Sequence, residues 1–195
     1  MVDVPITIYV SHPQVVIDAD VPVPEWGLND QGHERAAALA RAGLFGRIDR
    51  LVTSDERKAL DTTRHLLAGR DLEPVVDPLT GETDRSVPGF APPDEFEVQA
   101  DAWFAHPEVS THGWELAVDA QRRIVEAHAR ALAGLADDDV LVMVGHGGVG
   151  TLLWCHFSGV PIDRRHDQPF GGHLYVIGAD GRPDGPWRSF ESADG

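Results

Sequence analysis

Val140-Leu141-Val142-Met143-Val144-Gly145-His146-Gly147-Gly148 is the stretch on which the fold turns. Five apolar residues in a row, with no polar alternation, fit a strand buried on both faces. The run ends in Gly-His-Gly-Gly and feeds an apolar segment that reads as a helix through about His156. A second run, Ile6-Thr7-Ile8-Tyr9-Val10, lies between Pro5 and Pro13 and stops at Ser11-His12-Pro13. Two strands that each end in a histidine raise the same question, since one histidine at a strand end means little without partners.

Outward from these two runs, strands and helices alternate. Leu51 to Thr53, Pro74 to Val76 and Leu174 to Ile177 read as further short strands. Asn29 caps a helix expected to reach about Arg41. Ser54 caps another through about Ala68, with Ala59, Thr63, Leu66 and Leu67 at helical spacing. Helices are also expected over about 94–105 and 113–135, the latter placing Ala117, Ala120, Ile124, Ala127 and Ala131 on one face. This order predicts an α/β fold: a three-layer αβα sandwich with a mainly parallel central sheet. Residues 1–195 are expected to form one domain. The Gly- and Pro-rich segment at about 78–112 is expected to wall or cover a pocket, and the chain from about residue 183 to fray.

The charge balance narrows the partners. There are 32 acidic against 16 basic residues, a formal net charge of -16. Such a field repels nucleic acid and anionic membrane surfaces, so neither is expected as a partner. An anionic substrate would need locally converging cations. No apolar run approaches the length of a membrane span. No leader pattern is visible, and the single cysteine, Cys155, reads as a small core residue. Cytoplasmic location is the expectation.

In open α/β sheets, ligands bind beyond the carboxyl ends of the strands. His12 and His146 would meet on that edge. Ser54, Arg57 and Lys58 stand at another strand end, and Glu82, Asp84 and Arg85 follow the strand at Val75. Two histidines, carboxylates and several cations on one edge suit phosphoryl transfer. Together these motifs resemble the histidine phosphatase superfamily, with its phosphoglycerate-mutase-like fold, over roughly residues 5 to 178. The family's Arg-His-Gly is matched by Ser11-His12-Pro13, and its Leu-Thr-x-x-Gly by Leu28 to Gly32. Its Ser-x-x-x-Arg-Ala-x-x-Thr corresponds to Ser54 to Thr62, and its Leu-x-x-Glu to Leu79–Glu82. Gly113-Trp114-Glu115 with Arg123, and His146-Gly147, complete the order.

The resemblance implies a metal-independent phosphomonoester hydrolase without cofactor, acting on a small phosphorylated substrate. His12 would be the nucleophile and form a phosphohistidine. His146 would stabilise the phosphoryl oxygens. Glu82 would move the proton of the leaving group, with Asp84 and Glu73 as nearby competitors. Ser11, Arg57, Lys58, Arg85 and Gly147 are the candidate phosphate-binding residues. The pattern departs from the family where Ser11 precedes the histidine and where Lys58 stands for an arginine. Arginine grips phosphate bidentately, lysine as a point charge and serine only as a neutral donor. Two readings follow: a phosphatase in which Arg57 or Arg85 replaces the lost cation, or a weakly active or inactive binding module. Asp18, where the family often has Asn, would add negative charge if it pointed inward. A remote alternative is a dinucleotide-binding oxidoreductase, since Gly145 to Gly150 fits G-x-G-x-x-G. Only 45 residues follow Gly150, too few for the rest of such a fold.

Overall fold

The computed structural model describes residues 4–86 and 90–193. Among these residues the strands are β1 (Ile6–Ser11), β2 (Arg50–Thr53), β3 (Val75–Val76), β4 (Val140–Gly145), β5 (His173–Ile177) and β6 (Arg188–Ser189). They form one sheet in the order β3-β2-β4-β1-β5-β6. The α-helices are α1 (Asp30–Leu39), α2 (Arg57–Leu66), α3 (Pro93–Ala105), α4 (Ala117–Leu132) and α5 (Gly147–Ser158).

Side-chain alternation along the strands splits the core in two. Tyr9, Leu141, Met143, Tyr175 and Ile177 pack with the buried faces of α3, α4 and α5. Ile8, Val10, Leu51, Val142, Val144 and Leu174 pack with Leu39, Phe45, Ala59 and Leu66 on the opposite face. The expected αβα layering holds, and β3, β2, β4 and β1 run parallel. The other edge departs from a parallel sheet. β5 pairs antiparallel with β1, and β6 antiparallel with β5.

The register of the central pair positions the site. β1 and β4 align Ile6 with Val140 through Ser11 with Gly145. Both strands therefore stop at one level, and the next residues are His12 and His146. The His12 N–H extends the ladder by donating to the Gly145 carbonyl at 3.0 Å.

Several boundaries differ from the sequence expectation for local reasons. α2 begins at Arg57 because the Ser54 hydroxyl accepts the Glu56 N–H (3.1 Å) and turns the chain before the helix starts. Asn29 does cap α1, accepting the Gly32 N–H at 2.9 Å. Gly32 is pressed against the Gln14 carbonyl so closely that a Cβ would lie 2.1 Å from its oxygen. α4 starts at Ala117, not Gly113, because His112 and Gly113 both take positive φ and break the helix there. Of the wall segment, 87–89 lies outside the described residues. Trp103 and Phe104 on α3 are buried in the core, whereas Phe90 is exposed and packs edge-on to Trp26.

The expected frayed tail is instead part of the fold. Trp187 joins the α5-side core against Tyr9 and Tyr175, and its indole N–H donates to Thr151 Oγ1 at 3.1 Å. Phe190 joins the other core. Two aromatics and an edge strand hold it against the fold; 194–195 lies outside the described residues. Trp187→Ala should cost about 3 kcal/mol, because it empties a buried aromatic site. For a domain of this size that lowers Tm by roughly 6–12 °C, read by thermal unfolding. A loss below about 0.5 kcal/mol, the level of a surface substitution, would mean the tail is not packed.

Candidate active site

The two strand-end histidines face each other. Their ring centroids lie 5.3 Å apart with the planes at 68°. His12 Nδ1 lies 2.8 Å from the Pro13 carbonyl oxygen. A carbonyl only accepts, so Nδ1 carries the proton and Nε2 keeps the lone pair. Burial, then the neighbouring His146 and Lys58, push the His12 pKa down to about 3. The ring is neutral at physiological pH.

His146 is fully buried. The Tyr9 hydroxyl holds its backbone from both sides, accepting the His146 N–H at 3.2 Å and donating to its carbonyl at 3.1 Å. The ring Nε2 lies 2.9 Å from Ser54 Oγ and 3.3 Å from Glu56 Oε1. Its Nδ1 is buried and, among the described residues, has no hydrogen-bond partner. Burial lowers the His146 pKa, opposed by the carboxylates of Glu56 and Glu82.

Glu82 reaches the start of α5. Its Oε2 accepts the Gly148 N–H and its Oε1 the Val149 N–H, both at 3.1 Å, with the Thr83 N–H at 3.0 Å. A carboxylate at a helix N-terminus is favoured by the free N–H groups and the dipole. Gly148 permits the approach, since a Cβ there would lie 2.8 Å from Glu82 Oε1. Burial alone would raise the Glu82 pKa, but His146, Arg85 and the Thr83 N–H bring it below the usual value. Arg123 fixes this loop by donating to the Leu79 and Gly81 carbonyls at 2.8 and 2.9 Å while paired with Glu115. A cavity of about 490 Å³, lined by Pro78, Glu82, Asp84, Trp114, Glu115 and Arg123, meets the site at Glu82.

The candidate phosphate-binding residues fall into two groups. Lys58 is buried and lies close enough to lower the pKa of both histidines. Its ammonium donates to the Val23 carbonyl at 2.9 Å and to Glu56 Oε2. Ser11 is buried; its hydroxyl donates to Gln168 Oε1 at 2.5 Å and accepts the His173 N–H at 3.1 Å. Gly147 opens α5 under the Gln168 side chain. Arg85 rests on the rings of Phe96 and Trp114, 5.0 and 5.3 Å from the centroids, within electrostatic reach of Glu82 and His146. Arg57 is directed elsewhere: it is largely exposed and pairs with Asp61 on its own helix. Asp84 turns to the Ser86 N–H at 2.9 Å. Asp18 is exposed and accepts the Asp20 N–H, so it does not add charge to the site. The His173 ring packs against Phe170.

Two site residues have no counterpart in the sequence reading. Glu56 takes the Glu82 N–H at 2.8 Å, pairs with Lys58 and faces His146. Burial raises its pKa, but His146 and Lys58 outweigh that and hold it near 2. Gln168 closes over Ser11. Glu56 had one visible signal, its place two residues before Lys58 in the Ser54 motif; Gln168 had none. Among the described residues, no group of three or more His, Cys, Asp or Glu side chains could hold a metal ion, and no helix is long and apolar enough to cross a membrane.

The neutral state of His12 has a measurable consequence. Its pKa is depressed in the fold, so between pH 6.5 and about 3 the unfolded chain binds a proton that the native chain does not. Stability is therefore lost on acidification, by up to about 1.4 kcal/mol per pH unit for this group. His12→Gln, which cannot titrate, should flatten the pH dependence of denaturant-unfolding free energies over that window. An unchanged slope would show that His12 is not held neutral.

Three comparisons bear on this arrangement. No curated protein sequence matches the chain. Among solved structures, a mycobacterial glucosyl-3-phosphoglycerate phosphatase in complex with inorganic phosphate superposes with a TM-score of 0.79 at 21% identity, over 96% of this chain and 99% of that one. The α-ribazole phosphatase from Shigella flexneri gives 0.71 at 19% identity, covering 96% of each chain. YhfR from Bacillus stearothermophilus gives 0.70 at 20% identity, covering 95% of each. At such identities the likeness is one of fold. The sequence model of the histidine phosphatase superfamily (branch 1) matches residues 15–181. With most of its length so matched, the chain belongs to the histidine phosphatase superfamily, branch 1.

Proposed function

We propose that the protein is a metal-independent phosphomonoester hydrolase that works through a phosphohistidine on His12. The observation that carries this reading is the His12 imidazole itself: Nδ1–H is tied to the Pro13 carbonyl at 2.8 Å, leaving Nε2 unprotonated beside His146. Two of the similar structures are of proteins described as phosphatases of small phosphate esters, which supports the same substrate class here.

In the first step the Nε2 lone pair forms a bond to phosphorus as the P–O bond to the leaving group breaks. The departing oxygen keeps the bonding electrons and takes a proton. In the second step water attacks the phosphohistidine, loses a proton to the same acid–base group, and releases inorganic phosphate and free His12. Glu82 is the better acid–base candidate than Asp84: both line the cavity that would hold the leaving group, but Glu82 touches the α5 N-terminus beside His146, whereas Asp84 turns to the Ser86 N–H. Its lowered pKa suits the base role in the second step more than the acid role in the first. His146 would donate a ring N–H to the phosphoryl oxygens as charge develops.

One observation favours the second reading, a weakly active binding module. The buried cation Lys58 is already paired with Glu56, and Ser11, which the motif resemblance aligns with the family's first arginine, is a neutral donor bonded to Gln168. Such a site holds phosphate poorly even if the nucleophile is sound.

Wild type and His12→Ala are assayed in parallel with p-nitrophenyl phosphate. Wild type should turn over at least about a thousandfold faster, since loss of the nucleophile removes the covalent route. Quenched wild-type protein should carry an acid-labile, base-stable phosphoryl group that the variant lacks. Equal turnover of the two would sink the phosphohistidine mechanism. No turnover across a broad phosphomonoester panel would favour the binding module.

A further inference from the structure

Glu56 is an anion placed where the proposed reaction needs donors for an anion. Its Oε1 accepts the Glu82 N–H at 2.8 Å and lies 3.3 Å from His146 Nε2; its Oε2 takes the Lys58 ammonium. An ammonium, an imidazole and a backbone N–H are the groups that typically cradle phosphoryl oxygens. The carboxylate is 11% exposed, so solvent screens it little. Glu82 adds a second carboxylate at the start of α5. Among the described residues Lys58 also donates to the Val23 carbonyl, and Glu56 is the carboxylate that pairs with it.

We propose that Glu56 is a specificity-determining residue, an internal competitor that occupies Lys58 and faces His146, so that the site disfavours doubly charged tetrahedral anions relative to singly charged ones. The inference deepens the phosphatase reading and rests on it. A doubly charged group entering beside Glu56 and Glu82 meets repulsion that a singly charged group of the same shape meets only in part. Among phosphomonoesters, the singly protonated form is then the one the site accepts best.

Methylphosphonate and methanesulfonate separate charge from shape, being nearly isosteric and, in alkaline buffer, doubly and singly charged. Their binding to the whole chain is measured by titration calorimetry and by ligand-induced rise in Tm, which reports only folded protein. Glu56→Gln should bind methylphosphonate about tenfold or more tighter than wild type, with a clearly smaller gain for methanesulfonate. Glu56→Ala is read alongside it, in case the amide repacks poorly. Adding Lys58→Met to Glu56→Gln should abolish the gain, because the released cation is then missing. Unchanged methylphosphonate affinity in both Glu56 variants, equal gains for the two ligands, or a gain that survives loss of Lys58 would each overturn the proposal. Wild-type turnover of p-nitrophenyl phosphate is scored separately. Turnover with unchanged binding in the variants overturns only the competitor role. Tighter binding in Glu56→Gln without wild-type turnover upholds the competitor role and defeats the hydrolase reading.

Discussion

The parallel ladder between β1 and β4 is the constraint from which the site follows. It pairs Ser11 with Gly145, so the residues just beyond, His12 and His146, arrive side by side without help from a loop. The same ladder places Tyr9 beside Met143, from where its hydroxyl reaches the His146 peptide. Strand register thus does the work that in many sites falls to flexible segments, and it does so with main-chain hydrogen bonds buried between two apolar layers.

Charge within the site is balanced internally. Four ionisable side chains, Glu56, Lys58, Glu82 and His146, are packed together, and burying any one alone would be costly. Each is offset by another: Lys58 by Glu56, Glu82 by the N–H groups of α5, His146 by the two carboxylates. This mutual offset keeps the carboxylates ionised, while burial, His146 and Lys58 hold His12 neutral. Arg85, resting on Phe96 and Trp114, is a further cation within reach of Glu82 and His146.

Much of this was legible before any coordinates. The central strands were plain because both faces of β1 and β4 are buried, which forces near-continuous apolar runs. Residues at strand ends carry that certainty with them, and so His12 and His146 could be named. Arg57 and Lys58 could not be told apart, because adjacent positions on a helix point about 100° apart and only the packed structure shows which faces inward. Gln168 was invisible for a different reason: its contact with Ser11 spans 157 residues and comes from an irregular loop with no periodicity to read. The tail misled because its composition is that of a loop, while Trp187 and Phe190 carry its energetics.

The hydroxyl of Tyr9 ties together positions 137 apart in sequence. β1 must also insert between β4 and β5, both from the far end of the chain. No early local cluster can assemble this edge, since loop closure over most of the chain has to come first. The histidine pair therefore cannot form before this long-range pairing, and a molecule in which His12 and His146 meet has already aligned β1 with β4.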